Sequence, residues 1–175
     1  MTPYVPADLN IAKVVRLACE IAEGSAASLF LVKGDMLEPY ILYNLPQDYV
    51  AGIGAVKVGT QCCGRAVQSK RPWIVTDMLT DPLFADGAKG AEDSPIRAAF
   101  SVPVIQDDVA IASLACHFTK PHTPSPLDID RNEHFARVLG IMLKGRGFLM
   151  AAPHYPILLR AGEQNELESW AGALA

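Results

Sequence analysis

Two apolar segments that each turn back on themselves constrain the fold of this chain most. The first, "SLFLVKGDMLEPYILY", turns at "KGD", and the second, "IRAAFSVPVIQDDVAIASLACHF", turns at "QDD". Short apolar runs joined by such turns predict β-hairpins. Apolar residues at helical spacing precede the first hairpin, in residues 8–23, and follow the second, in residues 127–143. This order predicts an α+β fold, in which a central antiparallel sheet carries the terminal helices on one face and loops with short helices on the other.

Local signals set the expected ends of the other elements. The first helix is predicted to begin at Asp8, a candidate N-cap, and to stop at Gly24. A short helix is expected to begin near Cys62, and the strand in "RPWIVTDM" is expected to end at Asp77. The apolar face predicted for the last helix consists of Leu127, Phe135, Val138, Leu139 and Met142.

Length and charge limit the domain organisation and the class of partner. The 175 residues are enough for one domain, assigned to residues 1–145, with residues 146–175 as a C-terminal extension of uncertain structure. The net charge of −4 and pI near 5.5 argue against nucleic acid or an anionic membrane as the main partner. The chain also lacks a long apolar run and a recognisable secretion signal, which predicts a cytoplasmic protein with reduced thiols.

Several blocks in a fixed order carry a family resemblance. "GTQCCGRAV", "RPWIVTDMLTDPLF" and "IRAAFSVPVI" are followed by an apolar strand and by "TPSPLDIDRNEHFARVL". Together they resemble the GAF domain of bacterial signalling proteins over about residues 8–144, with Ala112 at a position where the family usually has glycine. The resemblance implies a pocket between the sheet and the loop layer, and a homodimer formed through the terminal helices. It also implies that the ligand signal passes to a partner, such as a histidine kinase or a regulator.

The resemblance also implies which residues border that pocket. Trp73 and Asp77 lie at the two ends of one strand, and Phe84 would form the pocket roof or simply pack its loop onto the domain. The turn from loop to strand in "SPIRAAFS" is expected to lie at the pocket opening. The expected ligand-binding residues are Trp73, Asp77, Phe84, Ile96, Arg97, Phe100, Ser101 and His117.

Three of these residues have structural alternatives. Asp77 is most simply a cap for the helix after it. Arg97 either holds an anionic ligand in a bidentate manner or forms an ion pair, and the two interpretations carry equal weight. The candidate acidic partners are Asp77, Glu92 and Asp93. For His117, a satisfied core histidine is favoured over a residue that points into the pocket.

The adjacent cysteines, Cys62 and Cys63, raise the question of redox chemistry. A buried small residue is the favoured interpretation of Cys63, and Cys62 is expected to be partly wet at its helix start. The alternative is a redox pair, as in a thiol sensor or a GAF-type free methionine sulfoxide reductase. That reductase needs a cysteine in the following loop, and residues 79–95 contain none. Metal binding and a bilin at Cys116 are disfavoured, because no C-x-x-C spacing is present and Cys116 lies in an apolar strand.

No catalytic constellation is recognisable in the sequence, so a non-enzymatic sensor is expected. The ligand is a small molecule, an anion being one option, and neither its identity nor a cofactor can be named. The competing classes are a redox-active protein that uses the two adjacent cysteines and a structural dimerisation module with a filled pocket.

Overall fold

A single curved sheet organises the part of the chain that the computed structural model describes, residues 6–82, 95–145 and 157–161. Six strands follow one another in the order β3-β2-β1-β6-β5-β4, and all of these neighbours pair in antiparallel fashion. A seventh strand, β7, pairs in parallel with β2. The strands are β1 (Ala26–Lys33), β2 (Met36–Tyr43), β3 (Val56–Lys57), β4 (Trp73–Val75), β5 (Ala98–Gln106), β6 (Val109–Phe118) and β7 (Ile157–Leu159).

Four helices accompany the sheet in the described residues. They are α1 (Pro6–Ile21), α2 (Gln47–Ile53), α3 (Gln61–Ser69) and α4 (Pro126–Lys144). The long helices α1 and α4 cover one face, called the helix face here, and α3 covers the opposite face. The predicted fold class, both hairpins and the division into two layers are confirmed. None of the described helices is both long enough and apolar enough to span a bilayer.

The central strands are buried on both faces because their side chains alternate between two apolar layers. In β5, Ala98, Phe100 and Val102 enter the core under α1 and α4. On the other side of the same strand, Ala99 packs with Cys62 beneath α3. The tight β5–β6 turn at Asp107 and Asp108 fixes the register of the pair, and both residues adopt positive φ, which aspartate tolerates.

Glycine permits the close approach of α3 to the sheet. A Cβ atom at Gly64 would lie 2.3 Å from the backbone oxygen of Lys57, the last residue of β3. The amide of Gly59 donates a hydrogen bond of 2.9 Å to the oxygen of Gly64, which closes the loop before the helix. Gly64 in "GTQCCGRAV" thus allows the backbone of α3 to contact β3, in addition to any role of the cysteine side chains.

Two predicted element boundaries and the predicted apolar face of the last helix need correction. Helix α1 begins at Pro6, so Asp8 lies inside the helix; proline suits a first turn because its φ is already helical and it has no N–H to satisfy. Strand β4 ends at Val75, two residues before Asp77. In α4, the predicted Leu139 is buried, but Leu127 and Val138 are exposed. The small residues Ala136 and Gly140 let the helix approach the sheet, and the buried stripe consists of Asn132, Ala136, Leu139, Gly140 and Leu143.

The chain beyond α4 returns to the sheet. Residues 157–159 form β7 beside Ile41–Tyr43, and the amide of Asn44 donates to the oxygen of Leu159 over 2.7 Å. Leu159 is buried in the helix-face core, whereas Leu158 is exposed. Part of the extension whose structure the sequence does not indicate is therefore an edge strand of the sheet.

Candidate ligand-binding site

A cavity lies on the face of the sheet that is opposite α1 and α4. It encloses about 470 Å³ of space between atoms, including its opening to solvent, but only about 20 Å³ could hold the centre of a water molecule. Its floor comes from four strands: Ser28, Phe30, Pro39, Leu42, Ala99 and His117. Its cover comes from α2, the start of α3 and the segments around them: Leu45, Tyr49, Gly54, Val56, Gln61, Cys62, Cys63 and Met78.

His117 is the most polar group on the cavity floor. It is 5% exposed, and its Nε2 atom lies 3.0 Å from the hydroxyl of Ser28 on the neighbouring strand. The other ring nitrogen, Nδ1, is buried and has no hydrogen-bond partner among the described residues. The ring of Tyr49 packs edge-on against the imidazole, with centroids 5.9 Å apart. His117 is therefore a cavity residue with one unused polar atom, in contrast to the satisfied core histidine that the sequence favoured.

Burial decides the protonation state of this histidine. It lowers the pKa of His117 from 6.5 to about 4, because an imidazolium would lose its hydration without gaining a charged partner. The side chain is therefore neutral near pH 7. Because Ser28 occupies Nε2, Nδ1 carries either a ring proton or a lone pair that no described residue bonds.

The two adjacent cysteines form part of the cavity cover, and both are buried. Cys62 is 4% exposed and Cys63 is 7% exposed, so the expectation that Cys62 would be partly wet is wrong. Helix α3 begins at Gln61 and lies against the sheet, so its first turn is enclosed rather than open to solvent. The Cys62 thiol donates to the oxygen of Trp73 over 3.3 Å.

Burial also raises the pKa of both thiols, and neighbouring groups modify this effect. For Cys62, Cys63 and Asp81 raise the pKa further. For Cys63, hydrogen bonds with the hydroxyls of Ser113 and Ser101 act in the opposite direction, but the pKa stays raised. Both residues are therefore protonated thiols near neutral pH, which is the less reactive form.

Asp77 and Arg97 form a bidentate ion pair outside the cavity. The guanidinium donates from Nε to Oδ1 over 3.1 Å and from Nη2 to Oδ2 over 2.7 Å. Arg97 holds the pKa of the Asp77 carboxyl below its usual value of 3.8, and Asp77 raises the pKa of Arg97 in turn. Asp77 also accepts from the amide of Leu79. The structure thus has the ion pair, the second of the two interpretations of Arg97, and neither residue lines the cavity.

The remaining predicted site residues occupy different places. Trp73 and Ile96 pack with Cys62 in a cluster next to the cavity, and Arg65 lies 5.5 Å from the centroid of the Trp73 ring. Phe100 points to the helix face, because alternation along β5 directs it away from the cavity. Ser101 is buried and bonds to Ser113 beneath Cys63. Phe84 lies outside the described residues.

Some cavity residues were missed by the sequence analysis. Ser28 gives a weak signal, as a lone hydroxyl in the apolar run "AASLFLV" that must find a partner when buried. Tyr49, Gln61 and Met78 give no local signal, because only the tertiary fold brings α2, α3 and the segment after β4 together. In the described residues, no cluster of three or more histidine, cysteine or acidic side chains could hold a metal ion.

Comparisons with known proteins identify the family of this fold and cavity. The family model for the GAF domain matches residues 8–143. The chain therefore belongs to the GAF domain family, which is commonly a signalling or sensory domain. No curated protein sequence matches the chain.

Solved structures agree with this fold. The GAF domain of a phosphoenolpyruvate-protein phosphotransferase from Coxiella burnetii has a TM-score of 0.70 at 17% identity, over 85% of this chain and 89% of that one. Free methionine-R-sulfoxide reductase from Neisseria meningitidis, in complex with its substrate, has a TM-score of 0.66 at 17% identity, over 81% and 80%. A domain assigned to a two-component sensor histidine kinase of Sinorhizobium meliloti 1021 has a TM-score of 0.65 at 14% identity, over 81% and 93%. At these identities the likeness concerns the fold.

The lowered pKa of His117 predicts a loss of stability in mild acid. As the pH falls from 6.5 to about 4, the unfolded chain binds a proton at this residue and the folded chain does not. The free energy of unfolding should therefore fall by about 3 kcal/mol over this window, as measured by urea unfolding. His117→Gln should remove this component, whereas the exposed His134→Gln should retain it. An unchanged pH profile in His117→Gln would contradict the assignment.

The enclosed thiols predict similar costs at the two cysteine positions. Cys62→Ser and Cys63→Ser should each lower the free energy of unfolding by about 1–3 kcal/mol, because a hydroxyl loses more than a thiol on burial. Equilibrium unfolding in urea measures both changes.

The protein unfolded without reductant should also yield four free thiols, since all four cysteines are free in the structure. A count of two that returns to four with reductant would indicate a disulfide instead.

Proposed function

We propose that this chain is a small-molecule sensor of the signalling type, and that its ligand occupies the cavity between the sheet and helices α2 and α3. The observation that carries the proposal is the unused Nδ1 atom of His117, buried at the floor of an apolar cavity that opens to solvent. An unsatisfied buried polar atom costs about 1–3 kcal/mol, and a ligand that bonds it recovers part of that cost. The membership of the GAF family supports a sensory role.

Binding rather than catalysis fits the groups around the cavity. A thiol reductase needs a thiolate, and burial raises the pKa of both Cys62 and Cys63. His117 is neutral, its Nε2 atom bonds the hydroxyl of Ser28, and no carboxylate among the described residues hydrogen-bonds its ring. These features give less support to a redox enzyme than to a receptor, although one solved relative of this fold is a methionine sulfoxide reductase.

The signal would leave the domain through α1 and α4. These helices pack against each other and cover the sheet face opposite the cavity, so a ligand that changes the curvature of the sheet changes the surface beneath them. They also carry large exposed apolar side chains: Leu17, Leu127, Val138 and Ile141. A second copy of the chain would cover this surface, and the dimer would act on a partner such as a histidine kinase or another regulator. Ligand binding then shifts the population of dimer arrangements.

A cavity-filling variant tests the proposed ligand site. Ala99 lines the floor, so Ala99→Met places three further heavy atoms in the cavity, while Val109→Met adds the same side chain to the exposed β5–β6 turn. We expect mass spectrometry of native protein from cells to detect a small molecule bound to the wild type and to Val109→Met. In Ala99→Met the bound fraction should fall at least about tenfold, because the ligand and the new side chain compete for the same space. Equal occupancy in all three proteins would place the ligand elsewhere.

The proposed dimer has its own test. Ile141 is 70% exposed on α4, so a charge there should not disturb the monomer but would be buried in a dimer. Light scattering at micromolar concentration should give twice the 18.8 kDa chain mass for the wild type and for the control Val109→Glu. Ile141→Glu should give the single-chain mass. A wild type that already has the single-chain mass would contradict the dimer.

A further inference from the structure

We infer that the ligand of this cavity is a compact, uncharged molecule with an apolar body and one hydroxyl or amide group, which bonds Nδ1 of His117. This inference rests on the sensor function proposed above and names the chemical class that the cavity selects. It replaces the anionic ligand that the sequence left open.

The walls of the cavity favour an apolar body. Most of the lining consists of aliphatic, aromatic or sulfur-containing side chains, among them Phe30, Leu42, Val56 and Met78. None of the described lining residues is an acidic side chain, a lysine or an arginine. An ionised ligand would therefore lose its hydration against apolar walls without gaining a counter-charge, and this penalty is far larger than that of a neutral polar group.

Arg97, the arginine expected to hold an anionic ligand, is already paired with a carboxylate of the protein. Arg97 uses Nε and Nη2 on the two carboxylate oxygens of Asp77, and neither residue reaches the cavity lining. On the other side, Asp81 is close enough to Cys62 to raise the pKa of its thiol. A negative charge therefore lies near the cavity cover, and it disfavours an anionic ligand.

The polar groups that remain are neutral and few. The hydroxyl of Ser28 fixes the His117 ring at Nε2, so the free nitrogen is oriented before any ligand arrives. The first turn of α3, at Gln61–Cys63, also lines the cavity and contributes the partial positive charge of a helix N-terminus. A hydroxyl or amide oxygen is attracted by that partial charge, and a hydroxyl or an amide can also bond Nδ1 in either of its tautomers.

Two pairs of matched probes test this inference on the wild-type protein at neutral pH. Benzamide and benzoate have nearly the same shape and differ in charge, and phenol and toluene differ in one hydroxyl. Amide chemical shifts of Ser28, Tyr49 and Cys62 report the cavity, and the shift of Val109 serves as the remote control. Titrations of these shifts give the dissociation constants.

We expect benzamide to bind at least about tenfold more tightly than benzoate, because only benzoate must bury a charge. Phenol should bind more tightly than toluene in the wild type and no more tightly in His117→Leu, which keeps an apolar side chain but lacks Nδ1. If His117→Leu does not fold, the phenol and toluene constants of the wild type decide this point alone.

The contrary outcomes separate this inference from the sensor function. Benzoate binding at the cavity amides as tightly as benzamide would overturn the uncharged class and leave the sensor function standing. Equal constants for phenol and toluene would overturn the bond to His117. If no probe shifts the cavity amides, the inferred ligand class fails, and occupancy of the native protein and of Ala99→Met still judges the sensor function separately.

Discussion

Burial of the central strands on both faces is the constraint on which the rest of this structure depends. Each residue of β6 belongs to one of two layers, and a shift by one residue would exchange them. Cys116 therefore enters the core beneath α1 and α4, where its thiol contacts Asn132, while His117 enters the cavity beside Ser28. The β5–β6 turn at two aspartates and the long antiparallel register on both sides of β6 hold this assignment in place.

The cavity exists because the second layer is thinner than the first. On the helix face, two long helices cover the sheet, and small residues such as Ala136 and Gly140 allow close packing. On the other face, the nine-residue α3 is drawn onto β3 at Gly64, and the region beside it is closed by single side chains such as Tyr49. A histidine can lie there because it is neutral and one of its two nitrogens is satisfied within the sheet.

The sequence specified the fold well because the signals for its elements are local. The two hairpins carry turn residues at fixed positions, and the final helix is preceded by proline and by Ser125, which forms a capping box with Asp128. The ends of α1 and β4 were misplaced, because several residues near each end are compatible with either state. The exposed positions of Leu127 and Val138 were missed since apolar size, rather than the small residues Ala136 and Gly140, guided the choice of face.

The site was less accessible from the sequence for a physical reason. Its lining comes from five strands, two short helices and the segments that connect them, so membership of the lining depends on tertiary packing. Cys116 and His117 are adjacent on β6 and therefore face opposite sides of the sheet, but alternation alone does not decide which of them faces a cavity. The Arg97 guanidinium could bind an anionic ligand or a carboxylate of the protein with the same geometry. Only the folded structure, which brings Asp77 to it, distinguishes the two.

The four cysteines are divided between the two layers that cover the sheet, so their reactivity can report how each layer opens. Cys19 and Cys116 lie in the helix-face core, whereas Cys62 and Cys63 lie in the first turn of α3, against the opposite face of the sheet. Burial raises the pKa of all four thiols. An electrophile can alkylate Cys19 and Cys116 only after the helix layer separates from the sheet, whereas Cys62 and Cys63 also line a cavity that opens to solvent. Equal alkylation rates for both pairs would indicate global unfolding. Faster modification of Cys62 and Cys63 would indicate access through the cavity or local opening of the α3 layer.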